Sequence, residues 1–193
     1  MIWESYYWKS DLIKTAKKLK NRLNQKKWFD SSFANAEKEI MISAFMIRKL
    51  FDSNKIEKEI ETRVVDAIYY KSNGKEMYWT SNLFPGDYYD LENPIETKIS
   101  LRNICNQIIH SYVFALIMTE SNQLKSFWFV SDFNKAKQLV EVNINVYIKI
   151  LDYIGNYWPI NEYYHYNSES TDFEVKQNLD NELIIKLLKN KPS

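Results

Sequence analysis

The sequence predicts a mainly α protein with a small antiparallel sheet (α+β), a helical bundle plus a three-stranded meander. Three observations lead there. Only 3 Gly and 4 Pro occur in 193 residues, which leaves room for long helices. Apolar residues recur at three- and four-residue steps through most of the first 110 positions, and beyond His110 the apolar period drops to two. Hydrophobic residues at 45% and charged residues at 26% exclude a disordered chain, and one domain spanning 1–193 is expected.

Trp8, Leu12, Ala16, Leu19 and Leu23 form one stripe, so a first helix is predicted at about 4–25. Asp30-Ser31-Ser32 supplies caps for a second helix at about 32–51, with Phe33, Ile40, Ala44, Ile47 and Phe51 inward. Asn54, with Glu57 three residues on, resembles a cap for a third helix through Ile56, Ile60, Val64 and Ala67, ending before Ser72-Asn73-Gly74. Turn dipeptides Asn73-Gly74, Pro85-Gly86 and Asn93-Pro94 mark residues 72–98 as a long aromatic loop, with a short strand possible at 75–80.

Ser100 can cap a fourth helix at about 100–111, which completes the bundle over 4–111. The meander follows over 112–144, with strands at about 112–120, 126–131 and 138–144, the last showing Val140, Val142 and Ile144 alternating with Glu141 and Asn143. Asn145 is the expected cap of a late helix at 145–156, with Gly155 as its stop. Residues 157–193 read as irregular, apart from a short helix at 180–189.

Cys105 is the single cysteine, which excludes a disulfide scaffold. The first residues lack an apolar signal region, and the longest apolar run, 112–118, falls far short of the roughly 20 residues that span a bilayer. A cytoplasmic protein without membrane contact is expected. Two histidines and one cysteine, far apart, leave a zinc site short of ligands, and no phosphate loop, dinucleotide fingerprint or nucleophile elbow occurs, so neither metal nor cofactor is expected. The net charge of +1 hides a basic run at 9–27 and an acidic one at 162–180. Lys14, Lys17 and Lys18, with Arg48 from the second helix, are candidate phosphate contacts for RNA. Equally, the lysines can form a solvated face or pair with the acidic run.

The fourth helix carries the one constellation that suggests chemistry. At 100° per residue, Leu101, Ile104, Cys105, Ile108 and Ile109 share an arc of about 140°, the expected buried face. Arg102, Asn106 and His110 are four apart and line its edge, while Asn103 and Gln107 point furthest from the core. Such a stripe can hold a phosphodiester, with Arg102 on its oxygens, His110 moving the proton and Asn106 orienting either. The same residues also fit a helix end: a histidine favoured by the dipole, a surface arginine, and an asparagine fixing the next loop. His165, within Tyr163-Tyr164-His165-Tyr166, reads as packing or surface, and Phe127-Trp128-Phe129 as core more than as a base-stacking platform.

The string Leu101-Arg102-Asn103-Ile104-Cys105-Asn106-Gln107-Ile108-Ile109-His110-Ser111 resembles the signature helix of the HEPN (higher eukaryotes and prokaryotes nucleotide-binding) superfamily. Arg102, Asn103 and His110 match its positions, with seven residues between the arginine and the histidine. The resemblance implies a small helical bundle and a metal-independent ribonuclease of a toxin–antitoxin or phage-defence system. It also implies a homodimer with paired motifs, and an antitoxin or other protein partner. His110 would then be the base for attack of an RNA 2′-hydroxyl, and Arg102 would stabilise charge on the phosphoryl oxygens. The alternative is a non-catalytic interaction or accessory protein that binds through its aromatic loop and sheet.

Overall fold

The computed structural model describes residues 2–78 and 84–158, and the backbone of 161–167 and 172–178. The chain divides into two units, Met1–Asn156 and Tyr157–Ser193. In the first, helices α1 (Ser5–Arg22), α2 (Asp30–Asp52), α3 (Lys58–Glu61), α4 (Leu101–Ile109) and α5 (Ile144–Asn156) accompany strands β1 (Val64–Lys71), β2 (Ile95–Ser100), β3 (Ser111–Met118), β4 (Leu124–Ser131) and β5 (Gln138–Asn143). The second contains an antiparallel hairpin of β6 (Asn161–Asn167) and β7 (Asp172–Asn178).

The helical bundle with a three-stranded meander is not what forms. The α+β class stands, but the sheet has five strands in the order β2-β1-β5-β4-β3, with antiparallel neighbours throughout. The expected third helix is the main error. Ile56, Ile60, Val64 and Ala67 fit a helical period, yet only Lys58–Glu61 is helical, with Glu57 rather than Asn54 as its cap. From Val64 the residues are β-branched and aromatic. As a strand they find backbone partners on both sides, β2 and β5, and tertiary pairing of that kind overrides a local helical period. β2 lies where the long loop was expected, although Ile95, Thr97 and Ile99 alternate with Glu96 and Lys98 in the period of a strand. No strand forms over 75–78, and 79–83 lie outside the described residues.

The stripes of α1 and α2 explain the helical layer. Leu12, Ala16 and Leu19 on α1, and Ile40, Ala44, Ile47 and Phe51 on α2, are buried, whereas Phe33 is exposed. Each fully buried Leu, Ile or Phe contributes roughly 1.5–3 kcal/mol. Gly155 is no stop signal but a close-packing position inside α5. A Cβ there would meet Ile13 Cγ1 at 2.6 Å and the Lys9 carbonyl at 3.0 Å, so α5 crosses α1 backbone to side chain. The cap of α5 is Asn143, whose Oδ1 accepts from the Asn145 N–H at 2.9 Å, not Asn145 itself.

Strand register sorts the sheet into two faces, because cross-strand partners point the same way. Phe127, Phe129, Val140 and Val142 face the helices, where Phe127 packs edge-on to Tyr147 at 5.3 Å. Tyr147 in turn shares a 2.9 Å hydrogen bond with Ser43 of α2. On the opposite face, Tyr70, Val113, Val130 and Leu139 are covered by Met77, Tyr88 and Tyr89 of the 72–94 loop. That loop is tied down where Asp90 N–H donates to the Lys71 carbonyl (2.9 Å) and Tyr89 Oη–H to the Lys135 carbonyl (2.8 Å). Residues 157–193, expected to be irregular, contain the β6–β7 hairpin, which sets His165 opposite Glu174; the helix expected at 180–189 lies outside the described residues.

Candidate functional site

α4 starts immediately after β2. The Ser100 hydroxyl caps it by accepting from Asn103 N–H at 3.3 Å, and Leu101 N–H donates to the Arg63 carbonyl at 2.9 Å. Strand pairing therefore positions the helix, and α2 and α3 deliver carboxylates to its polar stripe.

Arg102 donates to Glu61 of α3 through Nε (2.5 Å) and to Asp52 of α2 through Nη2 (3.4 Å). Asp52 also receives Arg48 Nε at 2.9 and 3.0 Å, and the Nη1 of Arg48 donates to the Asn106 Oδ1. Two guanidiniums thus meet two carboxylates, with Asn106 accepting from a further donor of Arg48. The hydrogen bond that Arg102 donates to Glu61 raises its pKa most, burial opposes it, and the charges of Glu61 and Asp52 add to the rise. Asp52 is the last residue of α2, where a carboxylate meets the negative end of the helix dipole. The two arginines offset that repulsion, so the cluster fastens three helix ends together.

His110 stands apart. It is the C-cap of α4, its N–H donating to the Asn106 carbonyl (3.1 Å) and its carbonyl accepting from Asp132 N–H (3.3 Å). Its imidazole is exposed, not half-buried at the core boundary, and makes no hydrogen bond among the described residues. Eight residue steps separate it from Arg102, or about 12 Å along the axis. With Arg102 held by Glu61 and Asp52, the structure does not bring the two groups together within the chain.

Asn103 is exposed, and its Oδ1 accepts from Gln107 Nε2 at 3.3 Å. Gln107 does not point outward as expected. It is 3% exposed, and its Oε1 has no hydrogen-bond partner, because α4 packs against α2 on one side and the sheet on another and so buries a wider arc than its apolar stripe. Ile109 is correspondingly only half-buried. Burial pushes the Cys105 thiol up to about 12, against smaller opposing effects of Arg48 and Arg102, so it is no nucleophile near neutral pH. Lys14, Lys17 and Lys18 are exposed on α1, with Lys14 paired to Asp11 at 2.8 Å.

Asp52 escaped the sequence reading, although the spacing of four between Arg48 and Asp52 is that of a helical ion pair; the spacing of Glu61 suggests ordinary surface pairing, yet its side chain is 9% exposed and it holds Arg102. Glu141 escaped too, since alternation placed it on an open face. It is 5% exposed, and it accepts from Tyr70 Oη (2.5 Å), Ser126 Oγ (2.6 Å) and Trp128 Nε1 (2.8 Å). Burial pushes its carboxyl up, but the three hydrogen bonds and the charge of Lys125 outweigh it and leave the group below its ordinary range. The Phe127-Trp128-Phe129 triplet therefore splits, with two rings in the core and the third donating to this carboxylate.

A cavity of about 350 Å³ is lined by Ile2, Trp3, Trp8, Lys49, Asp52 and Ser53, and neither Arg102 nor His110 borders it. Among the described residues no three His, Cys, Asp or Glu side chains gather as a metal ion would need. No helix among them is long and apolar enough to cross a membrane.

The fold and site define an α+β protein whose antiparallel sheet is sandwiched between helices and an aromatic loop, with an arginine–carboxylate cluster at the meeting point of α2, α3 and α4. No family model, curated protein or solved structure matches the chain.

Proposed function

We propose that this chain is a non-catalytic interaction protein in which the α4 stripe serves as a structural lock. The observation that carries this reading is the occupancy of the arginines. Arg48 and Arg102 are already neutralised by Asp52 and Glu61, and a phosphate binding Arg102 would have to displace the poorly solvated Glu61 as well as the exposed Asp52. The purified chain is expected to leave single-stranded and structured RNA intact in the presence of a chelator, and to give the same result with His110→Ala. Cleavage that His110→Ala abolishes in a folded variant would overturn the reading.

A second reading keeps the metal-independent RNA cleavage that the HEPN resemblance implies, as part of a toxin–antitoxin or phage-defence system. It is favoured by one observation: His110 is exposed, and its imidazole is unengaged on the same stripe as Arg102. The two are about 12 Å apart along the helix and Arg102 is held by Glu61 and Asp52, so this reading places His110 of one chain and Arg102 of another on one phosphate. The test is mixing. Heterodimers of His110→Ala and Arg102→Ala chains should regain about half the activity if the sites are composite, and none if they are not.

A further inference from the structure

The two outer strands end the sheet differently. β2 follows Pro94 and carries Glu96 and Lys98 exposed along its length. Charges and prolines are how natural sheet edges avoid pairing with other chains. β3 reads Ser111-Tyr112-Val113-Phe114-Ala115-Leu116-Ile117-Met118, with no charge and no proline, and all of it except Val113 is only half-buried. One side of β3 pairs with β4, and no strand among those described pairs with the other. Every second residue therefore directs its N–H and C=O outward. Register shifts at Ser111/Val113 and Ile117/Met118 bracket a regular run of five residues centred on Ala115.

We propose that this run pairs antiparallel with the same run of a second copy of the chain, across a twofold axis at Ala115. In that register Val113 faces Ile117, Phe114 faces Leu116, and Ala115 faces itself. Every cross-strand pair is apolar, and the smallest side chain of the run sits where two identical groups must meet. Polar residues, Ser111 and Thr119, fall opposite each other at the ends. Pairing β3 with the β2 edge of another copy would instead set Glu96 and Lys98 among apolar neighbours and desolvate them. The strand is thus its own best partner. This contact goes beyond the interaction reading and does not depend on what α4 does. It holds the two His110 residues ten strand positions apart, about 33 Å, so it creates no shared α4 cleft.

Sedimentation of the full chain at tens of micromolar tests it, with Ala115→Lys and Glu96→Lys as paired variants. The expected result is twice the 23.2 kDa chain mass for the wild type and for Glu96→Lys, and the single-chain mass for Ala115→Lys. A monomeric wild type, or a dimer that survives Ala115→Lys, overturns the proposal. A wild-type monomer whose β3 amides resist hydrogen exchange would show that another segment of the same chain covers the edge, and it overturns the proposal equally. Should Ala115→Lys fail to fold, Ala115→Cys decides. Directly opposite residues in such a pair lie about 4.5–5.5 Å apart between Cα atoms, so mild oxidation should link Ala115→Cys into a covalent dimer while leaving Glu96→Cys monomeric. Cys105 is buried and cannot supply that link, so its formation reports the Ala115 contact, and its absence overturns the proposal.

Discussion

The protein holds its clustered carboxylates in two different ways. At the α4 stripe, Asp52 and Glu61 sit between arginines at the junction of three helices, where Arg102 keeps 35% of its side chain exposed. In the sheet, Glu141 has no partner cation in contact among the described residues and is held by a phenol, a hydroxyl and an indole from β1 and β4. The first cluster joins elements far apart in sequence by charge, in a place where water screens it. The second joins neighbouring strands by directed hydrogen bonds where little water reaches. Geometry, more than formal charge, sets how much each carboxylate matters, since a buried acceptor and its donors cannot fall back on solvent.

Removing Glu141 should have the largest effect. Glu141→Ala strands three buried or half-buried donors and is expected to cost about 3–5 kcal/mol, measured by urea denaturation. Glu141→Gln keeps the shape and should cost roughly 1–2 kcal/mol. If Glu141→Ala loses no more than a surface substitution, the contrast between the clusters is wrong. Arg102→Ala should come next, at about 1–2 kcal/mol, because it leaves the poorly exposed Glu61 without a cation while Arg48 still holds Asp52. Adding Glu61→Gln should recover part of that loss, and a double-mutant cycle on the four proteins measures it.

The two clusters should also separate by pH. Glu141 is the group whose folded carboxyl lies below its ordinary range. Its contribution is therefore fully present above the unfolded value, near 4.3, and is lost as pH falls through the lower folded value. Stability of the wild type should drop more steeply below about pH 5 than that of Glu141→Gln, and coincident acid limbs would remove the inferred shift. The smallest effect belongs to His110→Ala. An exposed imidazole with no hydrogen bond should change stability by less than about 0.5 kcal/mol, which also makes that variant a clean probe for RNA cleavage.

These contrasts show how far the sequence could be read. The long amphipathic helices were legible because their stripes run for many turns: Leu12, Ala16 and Leu19, or Ile40, Ala44 and Ile47, repeat often enough to outvote noise. α4 was legible from Ser100 to His110 for the same reason, helped by its cap. The segment from Ile56 to Ala67 was not, since four apolar residues at helical spacing describe equally well a short helix running into a strand. Its fate depends on β2 and β5, which lie on either side of it in space and far away in sequence. Glu141 was misplaced because alternation tells which residues share a face, and does not tell whether a loop with Met77, Tyr88 and Tyr89 will fold over that sheet.

The α4 stripe shows the same division at the level of function. Spacing placed Arg102, Asn106 and His110 on one edge of one helix, and the structure keeps Arg102 and Asn106 half-buried there while His110 is exposed at the helix end. It did not reveal that Asp52 and Glu61 arrive from α2 and α3 to occupy the arginines, or that about 12 Å of helix keeps His110 away from Arg102.

By itself the sequence determined the local quantities: where long helices run, which strands alternate, and that no disulfide can form within the chain. Those depend on periodicity and composition, which are properties of neighbouring residues. Only the tertiary structure decided that a presumed helix becomes the second strand of a five-stranded sheet, that Glu141 is buried, and that the arginines of the stripe are neutralised. Each of these depends on groups distant in the chain competing for the same backbone partner or the same charge, and that competition is settled only when the elements pack.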